Sequence, residues 1–416
     1  MKSFYRILSS FIVLVAFNTA NAESIKWLHL FGEDSSQYPN MVRAVEEFEA
    51  KTGHTVVLQY LENESFKAKL PTMLQSNDRP DIFYSWGGGV MYDQARAGFL
   101  RDVSSVVPDS YLDTVSAAAA DAFTFEGQRV GLPLQVSQVA WWYNKDLMSQ
   151  AGIDVSQIKM WDDLLDAVKQ IKAAGITPIC MGGKDKWPVH FVWTHLHIRN
   201  GGKGLFLESL NNGGWDRPEY IRSGEQMLEL VELEPFQKGW LAATWPDQAG
   251  FFGDGKCAMA FMGNWMYGAQ ASNSASGEGL ADANMGMFNM PMTSGGKGDS
   301  GDTLGGINGW LFSSTASDAA VELMMHYVSL DIQKEDASNG AYIPIVKGAD
   351  GSLTNPFLQQ VAKNISNSEY HQIFYDQFLG ADIGRVVNDV STDLAAGIIS
   401  AEEATQAVQE AWEFNQ

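Results

Sequence analysis

The sequence predicts a two-lobed α/β protein, on three observations. Strand and helix patterns alternate with short connections from residue 24 to residue 84. The same rhythm restarts past residue 140. The chain, 416 residues long, exceeds what one core ordinarily holds, at about 100–200 residues per domain.

Before these elements stands a leader. Lys2 and Arg6 precede an apolar run from Ile7 to Phe17, and Ala20-Asn21-Ala22 closes it in a small-x-small pattern. This is the pattern of a secretory signal peptide, too short for a membrane span. Cleavage is expected after Ala22, making 1–22 the leader of an exported, soluble chain, with the periplasm as its compartment. Losing Lys2 and Arg6 takes the formal net charge from −22 to −24. A surface that acidic is repelled by nucleic acid and by anionic membranes.

The first strand is Ser24 to Phe31, alternating and rich in aromatics. A helix follows over Tyr38–Lys51, with Met41, Val42, Val45 and Phe48 on one face and Gly53 as its stop. Thr55 to Leu61 reads as a second strand, Phe66 to Gln75 as a helix and Asp81 to Tyr84 as a third strand, the order of a parallel sheet covered by helices. Gly131-Leu132-Pro133-Leu134-Gln135 then runs straight into the extended Val139 to Tyr143. A strand-like crossing of this kind predicts a hinge of limited freedom, not a tether. Beyond it, Trp161 to Ala174 forms an amphipathic helix on Leu164, Leu165, Val168 and Ile171. Ile176 to Cys180 and Cys257 to Met262 read as strands. The Gly/Ser-rich stretches 272–279 and 293–301 read as exposed loops. Cys180 and Cys257 lie in apolar runs, as a disulfide or as two buried thiols, and their spacing is not that of a metal site.

The stretch "PDIFYSWGGGV", residues 80–90, carries the functional signal. A buried strand releases Trp86 and then three glycines. A tryptophan at the carboxyl end of a strand projects into the crevice where open α/β sheets bind ligands. Gly263-Asn264-Trp265 repeats the arrangement, as do Gly305-Gly306-Ile307-Asn308-Gly309-Trp310 and Lys186-Trp187-Pro188-Val189-His190. Sugars fit such a pattern. A pyranose lays its C–H face on an aromatic ring, while its hydroxyls need planar polar partners. Asn264, Asn308, Gln138, Glu33 and Asp34 are candidates for that second role.

The chain resembles the bacterial extracellular solute-binding proteins of family 1, the sugar-binding components of ABC importers that include the maltodextrin-binding proteins. The resemblance rests on the strand and helix of residues 25–51 and on "RPDIFYSWGGGVMYDQARAGFLRDVSS". It rests further on "VAWWYNKDLMSQAGID" with "WDDLLDAVKQIKAAGITPI", and on "FFGDGKCAMAFMGNWM". It implies the type II periplasmic binding-protein fold, with ligand in the cleft between the lobes. One lobe is expected from residues 23–135 and 297–342, the other from 138–296 and 343–416. The implied ligand contacts are Glu33, Asp34, Trp86, Gln138, the Trp187 loop with His190, Asn264, Trp265, Gly306, Asn308, Trp310 and Tyr342. The implied partners are a neutral mono- or small oligosaccharide and the permease subunits of an importer, with the protein a monomer.

Two other classes are weighed. A glycosidase needs two carboxylates about 5–10 Å apart across the scissile bond, and adjacent residues such as Glu33 and Asp34 diverge. No G-x-S-x-G elbow, H-E-x-x-H or P-loop is present. His190, His195 and His197 lack the spacing of a metal site, so neither catalysis, nor metal, nor cofactor is expected. A binding protein for a polyamine or another small polar solute would call for charged groups at the strand ends, where Trp, Asn and Gly stand instead.

Overall fold

A computed structural model of the chain describes residues 22–416, so the leader expected at residues 1–22 lies outside the described residues apart from Ala22. Strand β1 (Ser24–His29) pairs in parallel with β2 (Thr55–Tyr60) and with β3 (Ile82–Ser85). Helix α1 (Tyr38–Thr52) buries Met41, Ala44, Val45 and Phe48, spaced to fall on one side of the helix. Helix α2 (Asn63–Gln75) is capped by the Glu62 carboxylate, which accepts the amides of Glu64 and Ser65. Its buried side is Phe66, Leu70 and Leu74, at i, i+4 and i+8. Helix α3 (Gly88–Arg96) begins directly at the triple glycine.

The extended crossing is one unbroken strand, β4 (Gly131–Asn144). Its first half pairs antiparallel with β7 (Thr303–Phe312), and its second half pairs with β5 (Met259–Gly263) and β6 (Met285–Phe288). Short β8 (Ile343–Pro344) and β9 (His371–Ile373) pair with β4 and β7. The order is β8-β4-β7-β3-β1-β2, so β7 inserts antiparallel beside β3 where the sequence implied a purely parallel sheet. Strands β4 and β7 are shared, and the buried apolar residues divide into two clusters on either side of them. One runs from Ile25 to Leu134 and takes most of the stretch from Trp310 to Val346, while the other runs from Val139 to Leu304 with Ala337, Ile343 and most of the C-terminal region.

The details shift several expected boundaries. Ile176 to Cys180 is not a strand but carries two isolated bridges at Ile179, to Phe236 and to Met259, because Pro178 has no amide to continue a ladder. The loop at 297–302, assigned to the first lobe from sequence, belongs with the second. Arg199, fully buried, donates from Nη1 to the carbonyls of Asp299 (2.7 Å) and Asp302 (3.0 Å), and from Nη2 to that of Met290 (2.9 Å). Near residue 343 the two clusters interleave: Ile343 packs with the second, while Val346 packs with the first and the Lys347 amide donates to the Thr114 carbonyl. Cys180 and Cys257, both wholly buried, form a disulfide with Cα atoms 5.6 Å apart. Helix α4 (Trp161–Ala173) buries Leu164, Leu165, Val168 and Ile171 as their spacing predicts.

Candidate functional site

A cavity of about 240 Å³ lies between the two clusters. The first lobe contributes Phe31 from beyond β1, Gln37 at the start of α1, Lys67 from α2, and Tyr84 and Trp86 from the end of β3. The second contributes Trp187 and Phe191 from helix α5 (Trp187–Asn212), Asn264 and Trp265 from the turn after β5, and Trp245. Phe374 and Asp376 come from the segment after β9. The shared strands supply Gln135 and Ser137 from β4 and Asn308 from β7.

Trp86 is half-buried and held edge-on by Tyr84 (5.3 Å between centroids) and Phe66 (5.8 Å), so its orientation is set by packing. Across the gap stand Trp187 with Trp245 (5.7 Å) and Trp265 (6.3 Å), and Phe374 with Phe191 (5.2 Å) and Trp265 (6.0 Å). Aromatic walls from both lobes therefore face one space.

The polar lining is preorganised by hydrogen bonds. Gln37 Nε2 donates to the Ala341 carbonyl (3.2 Å), and Gln135 Nε2 donates to the Tyr84 hydroxyl (3.0 Å). Burial pushes the Tyr84 phenol above its ordinary range, so it stays neutral. The Gln138 amide donates to Asn264 Oδ1 (3.1 Å), which leaves the NH2 end of Asn264 for a ligand. Asn308 Oδ1 is buried with no hydrogen-bond partner among the described residues. Asp376, 8% exposed, accepts from Gln377 Nε2 (3.2 Å) and Asn388 Nδ2 (3.4 Å).

Of the residues singled out in the sequence, Trp86, Trp187, Asn264, Trp265 and Asn308 line the cavity together. Gly306 stands beside them: a Cβ there would lie 2.6 Å from both Asn308 Oδ1 and Phe374 Cε2. His190 stands one layer behind, fully buried, with Nε2 3.9 Å from Asp376 Oδ1, and burial lowers its pKa.

The others stand elsewhere, each for an identifiable reason. Glu33 and Asp34 are exposed in the turn after β1, and Gln37 takes their place in the wall. Gln138 points to the far side of β4, bonding Asn289 and Asn364, while Gln135 and Ser137 face the cavity. Trp310 is not at a strand end. It pairs with Tyr84 inside β7, buried against Trp27 at 5.0 Å, and supports the wall from beneath. Tyr342 is core, its hydroxyl donating to Asp336 Oδ2 (2.6 Å), and its neighbour Ala341 reaches the cavity. Trp187 opens a long helix instead of standing in a loop.

The triple glycine has a measurable purpose. A Cβ at Gly88 would sit 2.8 Å from the Cα of Phe378, and one at Gly89 would sit 2.7 Å from the Phe378 carbonyl oxygen and collide with the Gly380 backbone. Phe378 and Gly380 adjoin the second-lobe wall, so the bare backbone of α3 lets the lobes meet. Gly89 has ordinary helical geometry, and alanine suits it locally. Gly89→Ala is expected to force the lobes apart at this contact, lowering the melting temperature of the ligand-free protein by a few degrees and weakening ligand binding about tenfold or more. Calorimetry on the one variant checks both. Unchanged affinity would show that this contact is not needed for closure.

The mixed sheet with two shared strands and a cleft between two α/β lobes is the architecture of a type II periplasmic binding protein. The profile of the bacterial extracellular solute-binding proteins matches residues 32–335, and the chain belongs to that family. Two solved structures superpose with TM-scores of 0.85 at 24% identity. One is a chitin oligosaccharide binding protein, covering 94% of this chain and 98% of its own. The other comes from work on xylan utilization by Caldanaerobius polysaccharolyticus, covering 93% and 99%. The multiple sugar-binding protein of Streptococcus mutans is 21% identical over 275 residues, 61% of this chain and 62% of that protein. Two ABC transporter extracellular-binding proteins of Pyrococcus horikoshii are 25% and 26% identical, and the chain spans about half the length of these curated relatives (46% and 48%).

Proposed function

We propose that this chain is the substrate-binding protein of an ABC importer, taking a neutral mono- or small oligosaccharide in its inter-lobe cleft and presenting it to the membrane permease. The observation that carries the reading is the pair of aromatic walls, Trp86 on one lobe and Trp187, Trp245 and Trp265 on the other, with amides between them. A sugar stacks its C–H faces on such walls and turns its hydroxyls to Gln37, Asn264, Asn308 and Asp376. At about 240 Å³ the cavity falls below the ~300–1,000 Å³ usual for drug-sized ligands, which favours one or two sugar rings. Relatives and structural neighbours named for sugars support the same class. Among the described residues a single carboxylate, Asp376, lines the cavity, which supports binding over glycoside hydrolysis with its carboxylate pair. We read the lobes as residues 23–134 with 306–346, and 139–304 with 353–416. We place the protein, as a monomer, in the periplasm. Binding that favours the closed state gives the permease its means of telling loaded from empty protein.

Trp86→Ala tests the reading. Stacking contributes about 0.5–1.5 kcal/mol beyond area burial, so with the burial itself affinity should fall at least ~10-fold. Trp86 is only partly buried, so the melting temperature should drop by a few degrees and not by the larger amount expected for a core tryptophan. A variant that melts far lower yet binds sugar normally in the cold would make Trp86 a core residue.

A further inference from the structure

Lys67 is the only cation among the residues lining the cavity. Its Nζ lies 5.4 Å from the ring centroid of Trp86 and 5.6 Å from that of Trp187, over one aromatic wall from each lobe at once. Both distances are within the ~6 Å at which an ammonium is attracted by a ring face. Its one carboxylate partner is Glu64, three residues earlier on α2, at 3.3 Å. A second, larger chamber of about 660 Å³ adjoins the first, and Lys67, Tyr84, Trp86, Asp376 and Gln377 line both. The lysine thus stands at the partition, on the faces that a stacked sugar would need.

We propose that Lys67 is a tethered occupant of the stacking slot: in a self-occupied fraction of the ligand-free protein its ammonium bridges Trp86 and Trp187, holding the lobes together while the remaining molecules stand open, and an incoming sugar displaces it. The inference rests on the sugar-binding reading for its effect on affinity, but the bridge itself is a property of the empty protein. Displacement is permitted by the side chain's construction. The stem is unbranched and partly exposed, and Glu64 and Asp185 both line the larger chamber into which the ammonium can swing. A sugar that stacks between the tryptophans therefore exchanges two cation–π contacts for two C–H faces, and its apparent affinity is lowered by the fraction of protein held in the self-occupied state.

The test uses Lys67→Met, which keeps a stem and removes the charge, with Lys67→Ala as a second variant that removes the stem too. Small-angle scattering of the ligand-free proteins should give a larger radius of gyration for both variants than for the natural chain. Calorimetric titration with the sugar that most raises the natural protein's melting temperature should give roughly fivefold or tighter binding. Unchanged scattering, or affinity reduced in both variants, would overturn the proposal and make Lys67 a direct sugar contact or a bystander. If no sugar shifts the melting of the natural protein, the sugar reading fails, while the scattering comparison still decides whether Lys67 bridges the lobes.

Discussion

Lowering the pH from 7 to 5 is expected to cost the folded protein roughly 4 kcal/mol. His29 and His371 are held down to about 4 and His197 to about 3, all by burial. Their folded pKa values lie below the unfolded value of about 6.5, so the folded state takes up fewer protons. Their stabilising contribution is present above pH 6.5 and is lost as the pH falls towards 4. At pH 5 each imidazole forgoes roughly 2 kcal/mol of protonation available to the unfolded chain. Asp336 works in the opposite direction. Burial raises it to about 6, so its protonation returns roughly 1.4 kcal/mol over the same interval. Glu64, Asp81, Asp185 and Asp302, also raised by burial, act with Asp336.

The histidines dominate, and the melting temperature should fall by roughly 5–10 °C between pH 7 and pH 5. His197 isolates the cause. Its ring packs 4.4 Å from Trp193 and 4.5 Å from Tyr220, and neither nitrogen has a hydrogen-bond partner among the described residues. His197→Phe loses no hydrogen bond and should remove about 2 kcal/mol of that loss, flattening the pH dependence by about half. A melting temperature that does not change from pH 7 to pH 5 would contradict the account.

The second large effect concerns the disulfide. Cys180–Cys257 closes a loop with a sequence separation of 77. On the chain-entropy model a loop of that length restricts the unfolded chain by about 4 kcal/mol. Replacing both cysteines with alanine should therefore lower the melting temperature by roughly 8 °C, at about 2 °C per kcal/mol for a chain of this size. Sugar affinity at 20 °C should stay within about twofold, because neither residue lines the cavity. Both sulfurs are wholly buried, so reductant added to the native protein should act only as fast as the fold opens. Equal melting temperatures for the two proteins would refute this assignment of stability.

Periodicity made most of the fold legible. Helices α1 and α4 and strands β1, β2 and β3 lie within a residue or two of where apolar spacing puts them, because each buries one continuous face. Side-chain direction along the crossing strand was less legible. β4 has a register shift between Pro133 and Gln135, and past such an irregularity the alternation of faces cannot be counted from sequence. Gln138, the contact the resemblance implied, follows Ser137 directly in regular pairing and so falls on the opposite face, leaving Gln135 and Ser137 to face the cavity. Trp310 misled because the Gly-Trp pattern falls in the middle of β7, which continues to Phe312. The missed wall residues Phe191 and Trp245 stand on helices, where no strand end marks them, and Phe374 and Asp376 follow β9, a strand of three residues too short to show an alternation. Lys67 lies one residue from Phe66 on an amphipathic helix, and its sequence context is that of any solvated lysine.

The central claim is that a neutral sugar closes the cleft. It is tested most directly by scattering on the natural protein with a panel of mono- to trisaccharides, each titrated in parallel by tryptophan fluorescence. Trp86, Trp187, Trp245 and Trp265 all line the cavity, so binding must change the emission. The account predicts that at least one neutral sugar binds with one-to-one stoichiometry, shifts the emission and reduces the radius of gyration at saturation. Binding of amines or amino acids with no response to any sugar, or saturation by a sugar with no compaction, would contradict it.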